Sequence, residues 1–500
     1  MRVDRRLVPA AVAVLLAVVY LLAPPMGTDL SAQTARADFV REAGFAFVDL
    51  RWYGGTVQYG YSLAAPAVMA ALGVRVTGAL ALVVSALAFF LLLVRTGALR
   101  PVLGGVLGVL CIAGNLVSGR VTFALGVAFG LVGLLLLTAP WRPWVRLPLT
   151  ALAVVLAGLT SPVAGLFLGL AGVALFWWRR WDGAVLAGSA ALGLVPTTLL
   201  SDVDGWMNIS GWDTARAVGC AVVVAALVPR GPVRVGAVLA GLGVLIAYLV
   251  HTPVGLNATR LASMFTLPVL AAYVPLPRDS RRWAVAGSLG LVLVALLQPP
   301  VLRGDVAAAG NPTTSGRYYA PLLAELRGRA PVGRVEVVQT SDYWESAYVA
   351  REVYLARGWL RQADLERNPL FFDGSLSASS YEDWLRDNGV SYVALPDARL
   401  SWVARPEAAL IRAGQPYLTE VWRGGDWILY EVSGRPSIVD GGVLVAARPA
   451  SLTVDVPAGD TLVRVRYSRW LKADGARLVR GPDGWTVLRT PAAGRYVIRS

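Results

Sequence analysis

Three aspartates stand near the start of the chain: Asp29, Asp38 and Asp49. A carboxylate can take the proton from a sugar hydroxyl as that hydroxyl attacks. It can also hold a divalent cation, Mg or Mn, against phosphate oxygens. The run Asp49-Leu50-Arg51-Trp52-Tyr53-Gly54-Gly55 sets a guanidinium and two aromatic rings beside the last of them. The planar fork of Arg51 suits a two-bonded grip on phosphate. Trp52 and Tyr53 can stack on a sugar ring or sit in the aromatic belt of a bilayer. Each residue also has a plainer post, and Asp29 or Thr28 reads as the cap of a helix over about 30–43.

Two further cations flank apolar runs. Arg120 closes the tight turn Ser118-Gly119-Arg120, and Arg260 ends the segment Gly255-Leu256-Asn257-Ala258-Thr259-Arg260, which also offers Asn257. Both arginines can complete an anion site or snorkel to lipid phosphate. Asp202, Asp204 and Asp213 occupy a Trp-containing loop that reads as solvated. Other chemistries lack their residues: no P-loop, GxSxG or HExxH motif is present, and His251 is the sole histidine. Cys111 and Cys220 lie inside apolar runs, which points to packing rather than a disulfide or metal cluster.

The elements that carry these residues divide the chain in two. Of 500 residues 56% are hydrophobic and 16% charged. The apolar excess is confined to about the first 300, more than a soluble fold can bury. Eleven spans are predicted: 7–23, 76–94, 101–117, 121–138, 147–160, 162–178, 183–200, 214–228, 235–250, 259–275 and 283–299. The net charge of +14 comes in large part from arginines in short loops, which speaks against a nucleic-acid partner. With the N-terminus inside, the cytoplasmic loops hold Arg95 and Arg100, Arg142 and Arg146, Arg179 and Arg180, Arg230 and Arg234, and Arg278, Arg281 and Arg282. That is the positive-inside pattern, and it leaves the C-terminal part outside. Most carboxylates of the apolar half then gather on the outer side, as an outward-facing polar site requires.

Segment 24–75 is too long for a simple connection. Its apolar stretch 61–72 is bracketed by Gly60 and Gly73 and broken by Pro66, so it reads as interfacial or re-entrant. The expected organisation is a transmembrane domain over 1–300 with 24–75 as its first outer loop, a linker over 301–316, an extracytoplasmic α/β domain over 317–433 and a β-sandwich over 434–500. In the α/β part the pattern predicts helices over 318–329, 343–356 and 381–388, and strands over 332–339, 392–395 and 427–432. Strands over 443–447, 451–456, 461–467, 485–489 and 495–499 follow, between turn residues.

This layout resembles the GT-C superfamily of membrane glycosyltransferases: an N-in first helix, a long first outer loop with aspartates, many further spans, and a soluble outer domain. The Asp-Leu-Arg-Trp-Tyr-Gly-Gly loop at 49–55 resembles that of uncharacterised actinobacterial membrane proteins. The resemblance implies a polyprenyl-phosphate sugar donor, an envelope glycan, lipid or protein as acceptor, and an aspartate of the first outer loop as base. Asp29, directly after the first span, matches that position best, with Asp38 and Asp49 as reserves; Arg51, Trp52, Tyr53, Arg120, Asn257 and Arg260 would bind substrate. The acidic doublet many members carry in this loop is absent, as is the Trp-Trp-Asp signature of oligosaccharyltransferases. Two other readings stand beside it: a non-catalytic envelope assembly protein with a GT-C-like fold, and a transporter or flippase. The absence of paired half-sequences and mid-span ionisable groups weighs against a transporter.

Overall fold

The computed structural model describes residues 5–202, 205–275, 281–299, 301, 303–329 and 333–500. Asp204 and Arg278 lie outside them. The chain divides into two compact units. Unit 1 comprises 1–27, 60–201 and 206–309; unit 2 comprises 28–59, 202–205 and 310–500.

Helices come first along the chain: α1 Val8–Leu22, α2 Leu30–Ala43, α3 Ala65–Leu72, α4 Val74–Arg95, α5 Pro101–Val117, α6 Val121–Leu137 and α7 Pro143–Thr160. Then follow α8 Pro162–Phe176, α9 Arg180–Leu200, α10 Gly211–Leu227, α11 Pro232–Leu249, α12 Arg260–Tyr273, α13 Arg281–Leu297 and α14 Arg303–Ala307. All but α2 belong to unit 1.

Each of the eleven expected spans falls on a helix of unit 1. Four helices, α4, α7, α9 and α11, are both long and apolar enough to cross a bilayer. Others are shorter: α1 and α8 have 15 residues, α5 and α6 have 17. At 15–17 residues a helix reaches only about 22–26 Å, against about 30 Å of hydrocarbon. Among the described residues, length and composition together support four full crossings of the eleven expected. The stretch 61–72 forms only the eight-residue α3, stopped by Gly73.

The core of unit 1 is apolar and small-residue rich. Ala13, Ala17, Leu82, Phe89, Val109, Ile112, Phe123 and Met264 join α1, α4, α5, α6 and α12. A second cluster, Val154, Ala157, Leu168, Leu186 and Ala190, joins α7, α8 and α9. The outer surface is apolar as well, with Leu22, Leu199 and Leu249 among the exposed side chains. Water penalises such a surface and lipid does not, so unit 1 is a membrane unit.

Unit 2 opens with α2 and a two-stranded hairpin of β1 (Val48–Asp49) and β2 (Thr56–Val57). Its larger part adds β3 Arg334–Val337, β4 Val390–Pro396, β5 Leu418–Gly424 and β6 Trp427–Val432. These form one sheet in the order β3-β4-β6-β5, parallel between β3 and β4 and antiparallel elsewhere. Around it run α15 Gly316–Arg327, α16 Glu345–Tyr348, α17 Arg361–Arg367, α18 Ala378–Asp387 and α19 Ala404–Arg412. Strands β7 Val443–Arg448, β8 Ser451–Val456, β9 Gly459–Arg466, β10 Lys472–Ala473, β11 Arg477–Arg480, β12 Trp485–Thr490 and β13 Gly494–Arg499 complete the chain. They make two sheets, β10-β13-β8-β7 and β11-β12-β9. Alternate residues Leu452, Val454, Val463, Val465, Leu488 and Ile498 from both sheets share one core.

Three expectations are corrected. The loop 28–59 belongs to unit 2, not to the membrane unit. Residues 303–307 are a helix of unit 1 rather than linker. The helix expected over 343–356 shrinks to the four residues of α16. A 3-10 turn over Val349–Arg351 follows, and the chain then extends: Val335 N–H donates to Tyr354 O and Ala356 N–H to Val335 O along the edge of β3. That pairing contributes more than helical periodicity over so short a run.

Candidate functional site

The 49–55 motif is the interior of unit 2. Asp49 and Arg51 are buried and bonded to each other: Arg51 Nε donates to Asp49 Oδ1 at 2.9 Å and Arg51 Nη2 to Oδ2 at 2.7 Å. Gln58 Nε2 donates to the same carboxylate at 2.9 Å, and Arg51 Nη2 also reaches the Ala35 carbonyl of α2. Trp52 donates its indole N–H to the Ser346 carbonyl, and the Tyr53 hydroxyl donates to the Gly358 carbonyl at 2.7 Å. Burial raises the Tyr53 phenol above its ordinary pKa.

The backbone of the motif is equally committed. Leu355 N–H donates to Arg51 O, Leu50 N–H to Pro449 O, and Arg466 N–H to Gly54 O. The turn needs positive φ at Tyr53, Gly54 and Gly55, which glycine adopts without penalty. A Cβ on Gly54 would come within 2.6 Å of the Trp485 ring. The sequence expectation that Arg51, Trp52 and Tyr53 face a substrate is corrected: each is at most 2% exposed and holds protein atoms. Asp49 is spent in the same way.

The other loop aspartates differ. Asp38 accepts from Arg41 at 2.8 Å and from Arg351 at 2.5 Å. Asp29 stands at the N-cap position of α2, half-buried, but its carboxylate does not cap the helix. Asp202 accepts the Val57 N–H and pairs with Arg367 at 3.4 Å, and Asp213 pairs with Arg216 in the first turn of α10.

In unit 1, two of the expected cations stand at helix N-termini. Arg120 is the N-cap residue of α6 and Arg260 the first residue of α12. The Arg260 guanidinium lies 4.5 Å from the ring centre of Phe123, in the first turn of α6. Two guanidiniums and two helix N-termini thus share one end, where anions are favoured. Asn257 lies in the turn Gly255–Thr259 that leads into α12, half-buried. His251, close by in sequence, stacks on Trp206 at 4.2 Å between ring centres.

Sequence reasoning missed Asp305 in this end of unit 1. It is buried on α14 and accepts from the Ser118 hydroxyl at 2.5 Å, in the turn before Arg120. The signal was there, a lone carboxylate between Arg303 and Val306, but the segment read as linker. It also missed the charged core of unit 2. Arg357 makes a two-bonded pair with Asp364, at 3.0 and 2.8 Å, and lies 3.4 Å from Glu407 and 3.7 Å from Glu336. Burial pushes both glutamates up while Arg357 pulls back. Glu336, a single charge within a run of valines, was its sign in the sequence.

Among the described residues no group of three or more His, Cys, Asp or Glu side chains is arranged to hold a metal ion. Asp38 and Asp49 give oxygens to arginines, so these residues do not fit the divalent cation considered from sequence, and no step below passes through one.

No family model matches the chain, and no curated protein matches it. Solved structures do. The arabinofuranosyltransferase AftD from Mycobacteria, in its R1389S mutant, aligns at 17% identity and TM-score 0.49, over 92% of this chain and 43% of that one. AftD without that mutation gives 18% and 0.45. The archaeal oligosaccharyltransferase AglB from Archaeoglobus fulgidus, solved with an inhibitory peptide and a dolichol-phosphate, aligns at 10% and 0.44, over 78% of this chain and 69% of that one. The chain spans less than half the length of the AftD structures it matches.

Proposed function

We propose that this chain has a GT-C-like fold and transfers a sugar from a polyprenyl-phosphate donor to an envelope acceptor on the outer face of the cytoplasmic membrane. The observation that carries the reading is Arg260, at the start of α12, lying over Phe123 in the first turn of α6, the helix that follows Arg120 in a lipid-facing unit. A phosphate on a lipid tail is the anion such a place suits: the tail stays in hydrocarbon and the charge meets two guanidiniums. The arginine-rich loops support an N-in topology with this end outside.

Asp29 is the proposed base. It is the acidic residue that directly follows the first apolar run, the position that the GT-C resemblance gives the base. The carboxylate takes the acceptor hydroxyl proton, the hydroxyl oxygen bonds the anomeric carbon from the face opposite the phosphate, and polyprenyl phosphate leaves with the electron pair. Configuration inverts, and the arginines offset the charge growing on the leaving phosphate. Asn257, beside Arg260 in the chain, is a candidate to position the sugar.

The test incubates the purified chain with a panel of polyprenyl-phosphate-linked pentoses and hexoses, together with envelope glycan, lipid and protein fractions as acceptors, and measures release of polyprenyl phosphate. Turnover should fall at least about a hundredfold in Asp29→Asn, as expected for loss of a general base. Arg260→Gln should lose turnover while keeping the protein's melting temperature. Full activity in Asp29→Asn excludes it as base. The use of Asp49 and Arg51 as interior fasteners favours a second reading, a non-catalytic assembly protein, which predicts no release from any donor.

A further inference from the structure

The opposite end of α7 and α9 from their tight crossing holds a second feature that the transfer reading does not use. The helices touch closely at Gly158 and Gly193, where a Cβ on Gly158 would stand 2.9 Å from the Gly193 carbonyl carbon. Toward the start of each helix they part. Between them opens a shallow, largely apolar groove of about 400 Å³, lined by Leu147, Pro148 and Ala151 on one side and Ala184, Val185, Gly188 and Ser189 on the other. Pro148 lies inside α7, and no side chain fills the space before Gly188: a Cβ there meets nothing within 4 Å.

The residues just before the groove are charged. Arg146 Nη2 donates to Asp182 at 2.9 Å, and Arg179 Nε pairs with the second oxygen of Asp182 at 2.9 Å. Arg146 Nη1 is held by the Leu137 carbonyl, whereas its Nε–H is buried with no partner among the described residues. Arg142 and Arg180 stand at the same helix starts, so four arginines and one carboxylate gather in these first turns, a net charge of +3. Trp141, Trp144, Trp177, Trp178 and Trp181 stand around them, 49–81% exposed. Tryptophans placed so mark the headgroup level of a bilayer. The α9 side of the groove, 184–189, covers a rise of about 8 Å, roughly half the hydrocarbon depth of one leaflet.

We infer that this groove binds one chain of an anionic phospholipid, with its phosphodiester held by the Arg146–Arg179 pair. The groove runs along the early turns of α7 and α9, its mouth lies beside the tryptophans of the headgroup level, and its surplus charge is positive. A zwitterionic lipid would fill the groove equally but bring its own cation to an end already rich in them. The occupant is therefore a lipid such as phosphatidylglycerol, and the role is resident, not that of a donor being consumed.

The full chain, reconstituted in nanodiscs with equal phosphatidylglycerol and phosphatidylcholine and released into detergent, is read by native mass spectrometry for retained lipid. Wild type should retain phosphatidylglycerol in preference. Gly188→Leu fills the groove without a clash and should lose that retained lipid at unchanged melting temperature. Arg179→Gln should lower the preference about fivefold, the worth of one cation at a membrane surface. Glycerol 3-phosphate, a headgroup without a tail, should not displace the lipid. Equal retention of the two lipids by wild type, undiminished phosphatidylglycerol in a folded Gly188→Leu, or displacement by glycerol 3-phosphate would each overturn the inference.

Discussion

Unit 1 and unit 2 use charge in opposite ways. In the core of unit 2 two arginines are turned inward and satisfied by carboxylates: Arg51 by Asp49, Arg357 by Asp364. In unit 1 the arginines discussed stand at helix ends, as Arg120 and Arg260 do at one pair of N-termini and Arg146 and Arg179 at another. A charge that is fully buried and paired is worth most to the fold, since removing its partner leaves it unsolvated. A charge at a helix end lies nearer the surface, where a ligand can reach it. The same residue type therefore fastens in one unit and recognises in the other.

The sharpest way to break this contrast is at Arg51. Asp49→Asn leaves the guanidinium buried without its counter-charge and should destabilise unit 2 by about 3–5 kcal/mol. Hydrogen exchange on the full chain checks it: protection should fall over 334–337 and 390–396 and be retained in α4 and α5. Arg260→Gln, by contrast, should leave exchange in both units unchanged while removing turnover. Equal loss of protection from the two substitutions would erase the distinction.

A smaller effect follows from buried carboxyls. Burial pushes Glu345 up to about 8, despite a 2.6 Å hydrogen bond from the Thr340 hydroxyl. The folded state then holds a proton that the unfolded chain, at about 4.3, has released. The stability this proton confers is complete below about pH 4 and is lost as pH rises through 8. Unit 2 should be more stable at pH 5 than at pH 8 by roughly 1–4 kcal/mol. Thermal melts of the full chain across that range check the sign, and Glu345→Gln should flatten the slope. Growing stability from pH 5 to 8 would mean that the glutamate is ionised in the fold.

These contrasts also explain what the sequence could tell. The helices of unit 1 were legible because apolar runs must be long and uninterrupted to face lipid. Their crossing number was harder, since α5 and α6 have the composition of a span but not its length. Strands β8 and β12 were legible from alternation, and Arg120 and Arg260 from their place at the ends of apolar runs. The motif at 49–55 misled. Asp, Arg, Trp and Tyr are the residues of a sugar-phosphate site and also those of a polar staple, and only burial separates the two. Nothing local in the sequence shows that Arg51 is covered by α2, by 354–355 and by the strand carrying Arg466. The charged core around Arg357 was hidden for the same reason: Glu336, Arg357, Asp364 and Glu407 are scattered along the chain.

The weakest expected effect sharpens the comparison from within unit 2. Arg489 makes two hydrogen bonds to Asp460 at 2.8 Å, and Arg495 two to Asp455 at 2.9 and 2.8 Å. Their geometry rivals that of Arg51 with Asp49, yet all four side chains are exposed. Water competes for both partners and salt screens them, so geometry alone confers little. Arg489→Gln and Arg495→Gln should leave the melting temperature of the full chain unchanged within measurement, at low and at high salt. A loss approaching that of Asp49→Asn would show that bond geometry, not burial, makes a fastener, and the division between the two units would fail with it.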